Sequence, residues 1–222
     1  MNNKKFAALL LALASTASNA GSMGPAVMPE RLLLIEGGLS YSHAFYDGEG
    51  FFGESRTAFN PNGFSSHHND FYPNDFFGGY IGASLYIPTN WLLNIRYDMY
   101  GEKTQFNSFA QTEISLAPVK LSFTIDKVFG NFNDLSFGFG AGVVAETLND
   151  GDFFVPVSAS NPPSESLQGQ TIIDPLVEVF GMYRCTNNFG IKFNAAYQIP
   201  VHNKFGNGDV NLNLGLNYAF PI

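Results

Sequence analysis

The 222-residue sequence has little of three things: cysteine, basic residues and long apolar runs. Cys185 is its one cysteine, so the chain cannot form an internal disulfide. Lysine and arginine number 11 against 19 acidic residues, and a chain this acidic is a poor binder of nucleic acid. No run of about 18 apolar residues follows the N-terminal segment, so no transmembrane helix is predicted. These shortages argue against a disulfide scaffold, a nucleic-acid partner and a helical membrane protein.

The first twenty residues have the pattern of a secretory signal peptide. Lys4 and Lys5 give a basic start, residues 6–14 are apolar, and small residues lead up to Ala20. The apolar run is too short to span a bilayer as a helix, which disfavours the alternative of an uncleaved anchor. We therefore expect 1–20 to be removed on export. The mature chain would carry 9 basic and 19 acidic residues, a formal charge of −10.

The sequence contains many segments in which apolar and polar residues alternate strictly, most clearly residues 209–220. Its even positions are apolar or aromatic: Val210, Leu212, Leu214, Leu216, Tyr218 and Phe220. Its odd positions are acidic, amide or small: Asp209, Asn211, Asn213, Gly215, Asn217 and Ala219. Period two predicts a strand with one apolar and one polar, small face. Such a strand fits either a half-buried sheet or the wall of a barrel in lipid.

Alternation recurs along the chain and predicts eight strands, at 32–44, 76–87, 91–101, 109–126, 134–147, 170–184, 189–199 and 209–220. Residues 21–31, which contain two prolines and two glycines, are expected to be a periplasmic lead-in. In the fourth strand the apolar residues move from even to odd positions near Ala117 and Pro118. One extra residue there would explain the change, so a β-bulge is predicted.

The predicted connections differ between the two ends of the strands. The two longest, 45–75 and 148–169, follow the first and fifth strands and therefore lie at the same end. The tighter connections lie at the other end: 88–90, 127–133 and 185–188. Outer-membrane barrels have this asymmetry, with short periplasmic turns and longer extracellular loops.

With these connections and the aromatic near the end of its closing strand, the sequence resembles the small bacterial outer-membrane β-barrels of the OmpA/OmpX-like eight-stranded superfamily. The resemblance covers residues 32–220. It implies a position in the bacterial outer membrane, among outer-membrane lipids and lipopolysaccharide. It also implies that the barrel-assembly machinery recognises the closing strand, 209–220.

The glycines indicate which face of the sheet points inward. Glycines alternate with bulky apolar residues at Gly78, Gly82, Gly138, Gly140 and Gly142. An eight-stranded barrel has a narrow interior, so glycine and polar residues fit inside while large apolar residues face lipid. The predicted fold is therefore all-β: an eight-stranded antiparallel up-and-down transmembrane β-barrel over residues 32–222, with aromatic girdles at the interfaces.

The polar face collects charges of both signs: Glu36, Arg96, Asp98, Glu113, Lys120, Asp126, Glu146, Asp174, Glu178, Arg184 and Lys192. Near mid-strand, we expect Glu36, Arg96, Lys120, Glu178 and Lys192 to form an ion-pair network in the lumen. Charges in so narrow a space must pair or stay hydrated. The network is either a plug that closes the barrel or the gate of a narrow pore for ions or small solutes. Eight strands leave little room, which favours the plug.

The first long loop, 45–75, carries the residues predicted to recognise a partner: Phe51, Phe52, Phe64, His67, His68, Phe71 and Tyr72. Its aromatic side chains either pack on the bilayer rim or form an exposed surface for an extracellular or host protein. Adjacent histidines on an extended chain point apart, so no metal site is expected, and no cofactor.

Three functions remain open at this point. The favoured one is a structural and surface-interaction protein acting through the loops 45–75 and 148–169, and the narrow pore is the alternative. A lipid A-modifying enzyme is the least favoured, because no spacing links His43 or His202 to Ser65 and Ser66 as a catalytic set. The chain is therefore not expected to be an enzyme.

Overall fold

The computed structural model describes residues 31–45, 57–58, 66–67, 73–107, 112–149, 153–154, 171–186, 188–201 and 208–222. Twelve β-strands lie in these ranges: β1 (Leu32–Ala44), β2 (Thr57–Ala58), β3 (Ser66–His67), β4 (Asp75–Ile87), β5 (Trp91–Tyr100), β6 (Lys103–Asn107), β7 (Thr112–Gly130), β8 (Leu135–Asn149), β9 (Phe153–Phe154), β10 (Thr171–Arg184), β11 (Phe189–Gln198) and β12 (Asp209–Pro221). Across the described ranges, no helix has the length and apolar character needed to span a membrane.

Eight of the strands close into an antiparallel barrel. Neighbouring strands follow the order β5, β4, β1, β12, β11, β10, β8 and β7, and the pairing of β5 with β7 completes the ring. The first and last strands run side by side over their whole length, from the Leu32–Pro221 pair to the Ala44–Asp209 pair. The predicted all-β, eight-stranded barrel is therefore confirmed. We call the end at which β1 begins and β12 ends the periplasmic end, since the short turns also lie there, and the other the outer end.

The predicted strands match the barrel strands closely except in β7. This strand continues to Gly130, whereas the prediction ended it at residue 126 and placed a turn at 127–133. Residues 127–130 instead pair with β8, so the first four residues of the predicted turn are strand. Gly130 has a φ of 87°, a conformation that favours glycine, and the chain turns immediately after it.

The predicted bulge in β7 is wrong. The pairing of β7 with β8 is continuous from Ala117 to Gly130. Leu116 is buried, as are Lys120 and the later even-numbered residues that face the lumen. The apolar residues therefore move from the inward to the outward face of β7, although the alternation of inward and outward side chains continues without interruption.

The extra residue lies on the neighbouring chain segment. Met99 of β5 pairs with Val119 of β7, whereas Lys103 of β6 pairs with Leu116. The chain advances four residues from Met99 to Lys103, whereas β7 spans only three residues from Leu116 to Val119. The extra residue therefore lies in the segment that joins β5 to β6. The sequence of β7 alone carries no information about this partner, which is why the shift was assigned to the wrong strand.

The outer wall of the barrel is apolar. Leu39 and Phe77 are 72% and 71% exposed, although both are large and apolar. Similar side chains surround the barrel, including Ile81, Ile95, Phe123, Phe139, Val179, Phe193 and Leu216. A continuous exposed surface of this kind belongs in lipid, and charges buried inside the barrel complete the inverted arrangement of a membrane barrel.

Inward glycines make room for inward side chains. A Cβ on Gly138 would lie 2.5 Å from the Phe180 ring, and one on Gly140 would lie 2.0 Å from Asp126 Oδ1. Both distances are far below ordinary contact, so a side chain at either position would displace its neighbour. The glycines of β8 thus allow Phe180 and Asp126 to occupy the narrow interior.

Candidate functional site: the barrel lumen

Asn94, in β5, lies at the centre of the polar network in the lumen. Its Oδ1 accepts hydrogen bonds from Ser84 Oγ at 2.6 Å and from Lys192 Nζ at 3.2 Å. Its Nδ2 donates to Asp126 Oδ2 at 2.6 Å and to Glu178 Oε1 at 3.4 Å. The side-chain amide therefore lies between a cation and two carboxylates. Alternation places Asn94 on the inward face, but nothing in the sequence singles it out.

Four of the five predicted network residues meet around this amide. Lys192 Nζ lies 3.2 Å from Glu36 Oε1, and Arg96 Nη1 lies 3.2 Å from Glu178 Oε2. Arg96 Nε also lies 3.1 Å from Asp98 Oδ2. These atoms are buried, and removing one partner of a buried ion pair costs about 3–5 kcal/mol because the other charge is left uncompensated.

Lys120, the fifth predicted residue, belongs to a second group nearer the outer end. Its Nζ lies 2.5 Å from Asp209 Oδ2 and 3.7 Å from Glu146 Oε1. It also donates to Ser42 Oγ at 3.0 Å and to Asn211 Oδ1 at 3.1 Å. Asp209 was not among the predicted charges of the lumen, although it opens the closing strand on the inward face.

Carboxylates outnumber cations in the lumen. The buried acids of the described residues are Glu36, Asp98, Asp126, Glu146, Asp174, Glu178 and Asp209, and the buried bases are Arg96, Lys120, Arg184 and Lys192. Seven against four gives a formal charge of −3. Among the described residues, no three or more histidine, cysteine or acidic side chains are arranged to hold a metal ion. The excess charge is thus spread along the lumen rather than gathered into a metal site.

Several buried polar atoms of the lumen have no protein hydrogen-bond partner among the described residues. They include Glu36 Oε2, Asp126 Oδ1, Asn194 Oδ1, Asn213 Oδ1 and both polar side-chain atoms of Asn217. Buried polar groups in proteins are bonded to protein or to water, and an unsatisfied one costs about 1–3 kcal/mol. The polar layer of the lumen is therefore only partly satisfied by its own hydrogen bonds.

The periplasmic end of the lumen contains an apolar cluster, which we call the base cluster. Its buried members are Leu34, Tyr86, Leu92, Val128, Phe132, Phe180, Met182 and Ala219. Alternation predicts polar and small residues on the inward face, and it does not predict this cluster. The sequence contains a signal for this cluster: residues 32–35 and 91–93 are apolar at odd and even positions alike, which is typical of strands buried on both faces.

The outer end of the lumen has two unlike walls. A smaller apolar cluster of Ala44, Phe76, Tyr100 and Leu116 covers the side formed by β1, β4, β5 and β7. The opposite strands contribute Glu146, Asp174, Gln198 and Asp209, all buried. The Gln198 amide donates to both Glu146 and Asp174, at 3.1 and 3.3 Å. The outer mouth is therefore apolar on one side and acidic on the other.

The outer rim carries a polar cluster on the outward side of the wall. Asp75 Oδ1 accepts a hydrogen bond from Tyr41 Oη at 2.5 Å and lies 2.7 Å from His43 Nδ1. Asp75 Oδ2 lies 3.7 Å from Lys103 Nζ. Asp75 thus joins β1 and β4 to the first residue of β6. Of the other residues weighed for a lipid A-modifying set, Ser65 and His202 lie outside the described residues.

Beyond the rim, β7 extends into a small sheet, which we call the outer sheet. Residues 112–116 pair with β6 on one side, and Glu113 and Ile114 pair with β9 on the other. Phe106 of β6 is 62% exposed. A separate two-stranded ladder, β2 with β3, pairs His67 with Thr57. The other predicted recognition residues lie outside the described residues: Phe51, Phe52, Phe64, His68, Phe71 and Tyr72.

Solved structures share this architecture. The fold is similar to that of the outer membrane protein OprG from Pseudomonas aeruginosa, with a TM-score of 0.57 and 11% identity over 87% of this chain and 97% of that one. It is also similar to Ail, the attachment invasion locus protein of Yersinia pestis, in complex with the heparin analogue sucrose octasulfate. For Ail the TM-score is 0.51 and the identity 14%, over 86% of this chain and 100% of that one.

No family model matches the sequence, and neither does any curated protein. At identities this low, the structural likeness shows the fold. The chain therefore has the fold of the small outer-membrane β-barrels, as predicted, and its apolar outer wall fits that membrane setting.

Proposed function

We propose that this eight-stranded outer-membrane barrel is a structural and surface-interaction protein. The barrel anchors the chain among outer-membrane lipids and lipopolysaccharide, and the outer sheet with the loops 45–75 and 148–169 meets an extracellular or host protein. The closing strand, 209–220, engages the barrel-assembly machinery. The observation that supports this proposal most directly is the length of β7. The strand has 19 residues, and its first five pair outside the barrel with β6.

The ion pairs Arg96–Glu178 and Lys192–Glu36 support this proposal, because they are buried and cross the lumen, which is therefore poorly suited to transport. The exposed Phe106 supports it as well, since aromatic side chains on a rigid sheet make effective contacts with a partner. Ail, whose name describes an attachment and invasion locus, shares the fold. This likeness supports the idea that such a barrel can present a recognition surface.

The proposal is tested by trimming the outer sheet. Residues 104–115 are replaced by an Asn-Gly turn, which removes most of β6 and the first four residues of β7 and leaves the rest of β7 in the barrel. Cells displaying the full chain and the trimmed chain are compared for adhesion to host cells and to immobilised extracellular proteins. We expect adhesion of the trimmed chain to fall to the level of cells without the protein. Equal adhesion, with equal amounts of folded barrel at the surface, would contradict the proposal.

A narrow pore is the second candidate, and the observation that favours it is the set of buried polar lumen atoms without a protein partner among the described residues. In planar bilayers, discrete conductance steps of the unaltered protein that change on Arg96→Ala or Glu178→Ala would make the ion pairs a gate. We expect instead that the unaltered protein is silent, because buried ion pairs cross the lumen between its strands. A lipid A-modifying activity is not proposed.

A further inference from the structure

We propose that Lys127 and Trp91, on the lipid-facing wall near the periplasmic end, form a binding site for the phosphate of an anionic phospholipid. The inference requires the barrel to lie in a membrane, but it does not rest on the proposed surface role. It follows from three features of Lys127: its position on the wall, the direction of its ammonium group and the aromatic rings beside it.

Lys127 is an isolated charge on an otherwise apolar surface. Where the eight described strands pair around the barrel, the outward positions hold three side chains that are charged or carry an imidazole. Two of them, His43 and Asp75, lie at the outer rim and bond to each other, and the third is Lys127. A lysine on the lipid-facing wall is unfavourable near the bilayer centre and is tolerated near an interface. Lys127 therefore faces lipid with no other charge of the described wall beside it.

The ammonium group is directed toward the periplasmic interface. Lys127 lies three residues before the end of β7, and three residues at about 3.3 Å each span about 10 Å. Its Nζ donates a hydrogen bond to the carbonyl oxygen of Thr89, at 3.0 Å, in the turn between β4 and β5. The long side chain thus keeps its methylene groups on the wall while its charge reaches the level of the lipid headgroups.

No acidic side chain of the described residues compensates this charge. The ion pairs that these residues form do not include Lys127. Asp126, its neighbour in sequence, is fully buried on the lumen side of the sheet. An ammonium group has three donors, and Thr89 accepts from one of them. A phosphate in the periplasmic leaflet would supply both the negative charge and further acceptor oxygens.

Aromatic rings flank Lys127 on both neighbouring strands. Its cross-strand partners are Trp91 of β5 and Phe139 of β8. Nζ lies 4.9 Å from the centroid of the Trp91 ring, and Phe129, two residues along β7, stacks on Phe139 with centroids 5.6 Å apart. Trp91 and Phe139 are 40% and 59% exposed, so both can contact acyl chains. Aromatic side chains at this level mark the headgroup region of a membrane barrel, which places a lipid phosphate next to Nζ.

The site favours anionic over zwitterionic phospholipids. A zwitterionic headgroup carries its own cation, which competes with Lys127 for the phosphate, whereas the phosphate of phosphatidylglycerol has no such partner. The chain as a whole has a formal charge of −8 and therefore repels anionic lipids. An enrichment of such lipids beside Trp91 would thus be local to the site rather than a consequence of the overall charge.

Trp91 is the one tryptophan of the sequence, so its fluorescence reports on the lipids at this site. The protein is reconstituted in vesicles of phosphatidylcholine with a minority of phosphatidylglycerol. In separate samples, one lipid or the other carries brominated acyl chains, which quench tryptophan on contact. Fluorescence is divided by that of the same variant in unbrominated vesicles, which removes differences in intrinsic emission. We expect phosphatidylglycerol to quench about fivefold more per mole, the enrichment that one lysine produces near anionic lipid.

Three variants separate the site from its surroundings. Lys127→Gln should abolish the preference, and Lys127→Arg should retain it because arginine keeps the charge. Arg31→Gln is the matched control: it removes one exposed basic side chain at the same end of the barrel, beside β1, and should leave the preference unchanged. Each variant is measured on folded protein, whose migration in SDS gels changes on boiling. If Lys127→Gln does not fold, Lys127→Met replaces it, since an unbranched apolar side chain suits a lipid-facing position.

Equal quenching per mole by the two lipids in the unaltered protein would overturn the inference. So would a preference that persists in Lys127→Gln or Lys127→Met, because the lysine would then not hold the lipid. Loss of the preference in Arg31→Gln would show a general effect of charge at this end of the barrel rather than a site at Lys127.

Discussion

At the scale of single residues, Asn94 carries the most specific prediction for stability. Asn94→Ala removes the donor to Asp126 and Glu178 and the acceptor for Lys192, so buried charges lose a bonded neighbour. We expect a loss of about 1–3 kcal/mol in the free energy of unfolding. Urea unfolding in lipid vesicles, followed by the fluorescence of the one tryptophan, measures it.

The matched control is Asn133→Ala, at an exposed position of the turn after β7. Surface substitutions of this type usually change stability by no more than about 0.5 kcal/mol. A loss for Asn94→Ala no larger than that of the control would show that the amide does not organise the network.

Gly140 and Gly181 make a second pair at the residue scale. A Cβ on Gly140 would lie 2.0 Å from Asp126 Oδ1, whereas a Cβ on Gly181 would meet nothing within 4 Å. We expect Gly140→Ala to destabilise the barrel by about 1–3 kcal/mol, as overpacking does. Gly181→Ala should leave stability unchanged or raise it slightly, because alanine restricts the unfolded chain. Urea unfolding measures the change in the free energy of unfolding for both variants. Equal changes at both sites would contradict the packing argument.

At the scale of elements, Asp75 controls how the outer sheet is attached to the barrel. Its carboxylate contacts Tyr41 and His43 on β1 and lies near Lys103 at the start of β6. Asp75→Ala should loosen the root of the outer sheet without opening the barrel, since the ladders between barrel strands are untouched. The measurement is the rate of trypsin cleavage after Lys103 on intact cells, which we expect to rise.

Asp134→Ala, in an exposed periplasmic turn, serves as the control for the loss of one acid. It should leave that cleavage rate unchanged. If Asp75→Ala also leaves the rate unchanged, the rim cluster does not hold the outer sheet.

At the scale of the whole molecule, barrel closure predicts resistance to detergent. In lipid every backbone polar group must be bonded within the protein, and a closed ring of eight strands achieves this without a free edge. The folded protein should therefore migrate differently in SDS gels before and after boiling. Identical migration would contradict a closed membrane barrel.

The sequence determined the strands and their two faces, because the period of two is a local property of the chain. Residues 209–220 illustrate this: every even position there faces outward and every odd one inward, as alternation requires. The same alternation predicts that one face carries five charged residues, and all five are buried: Glu36, Arg96, Lys120, Glu178 and Lys192. Which of them meet was not readable, since partners such as Asn94 and Glu178 are 84 residues apart.

Only the tertiary structure decided what fills the lumen. Phe132 follows a strand in a turn, and no periodicity predicts that its ring folds back onto Tyr86. The acidic charge at the outer mouth likewise comes from three strands, β8, β10 and β12, that closure brings to one side, opposite the wall with Leu116. Side-chain direction along a strand is set by neighbouring residues, whereas contacts across a barrel are set by how the ring closes. The sequence alone therefore predicts the strands that form the barrel wall, whereas only the tertiary structure decides which side chains meet in the lumen.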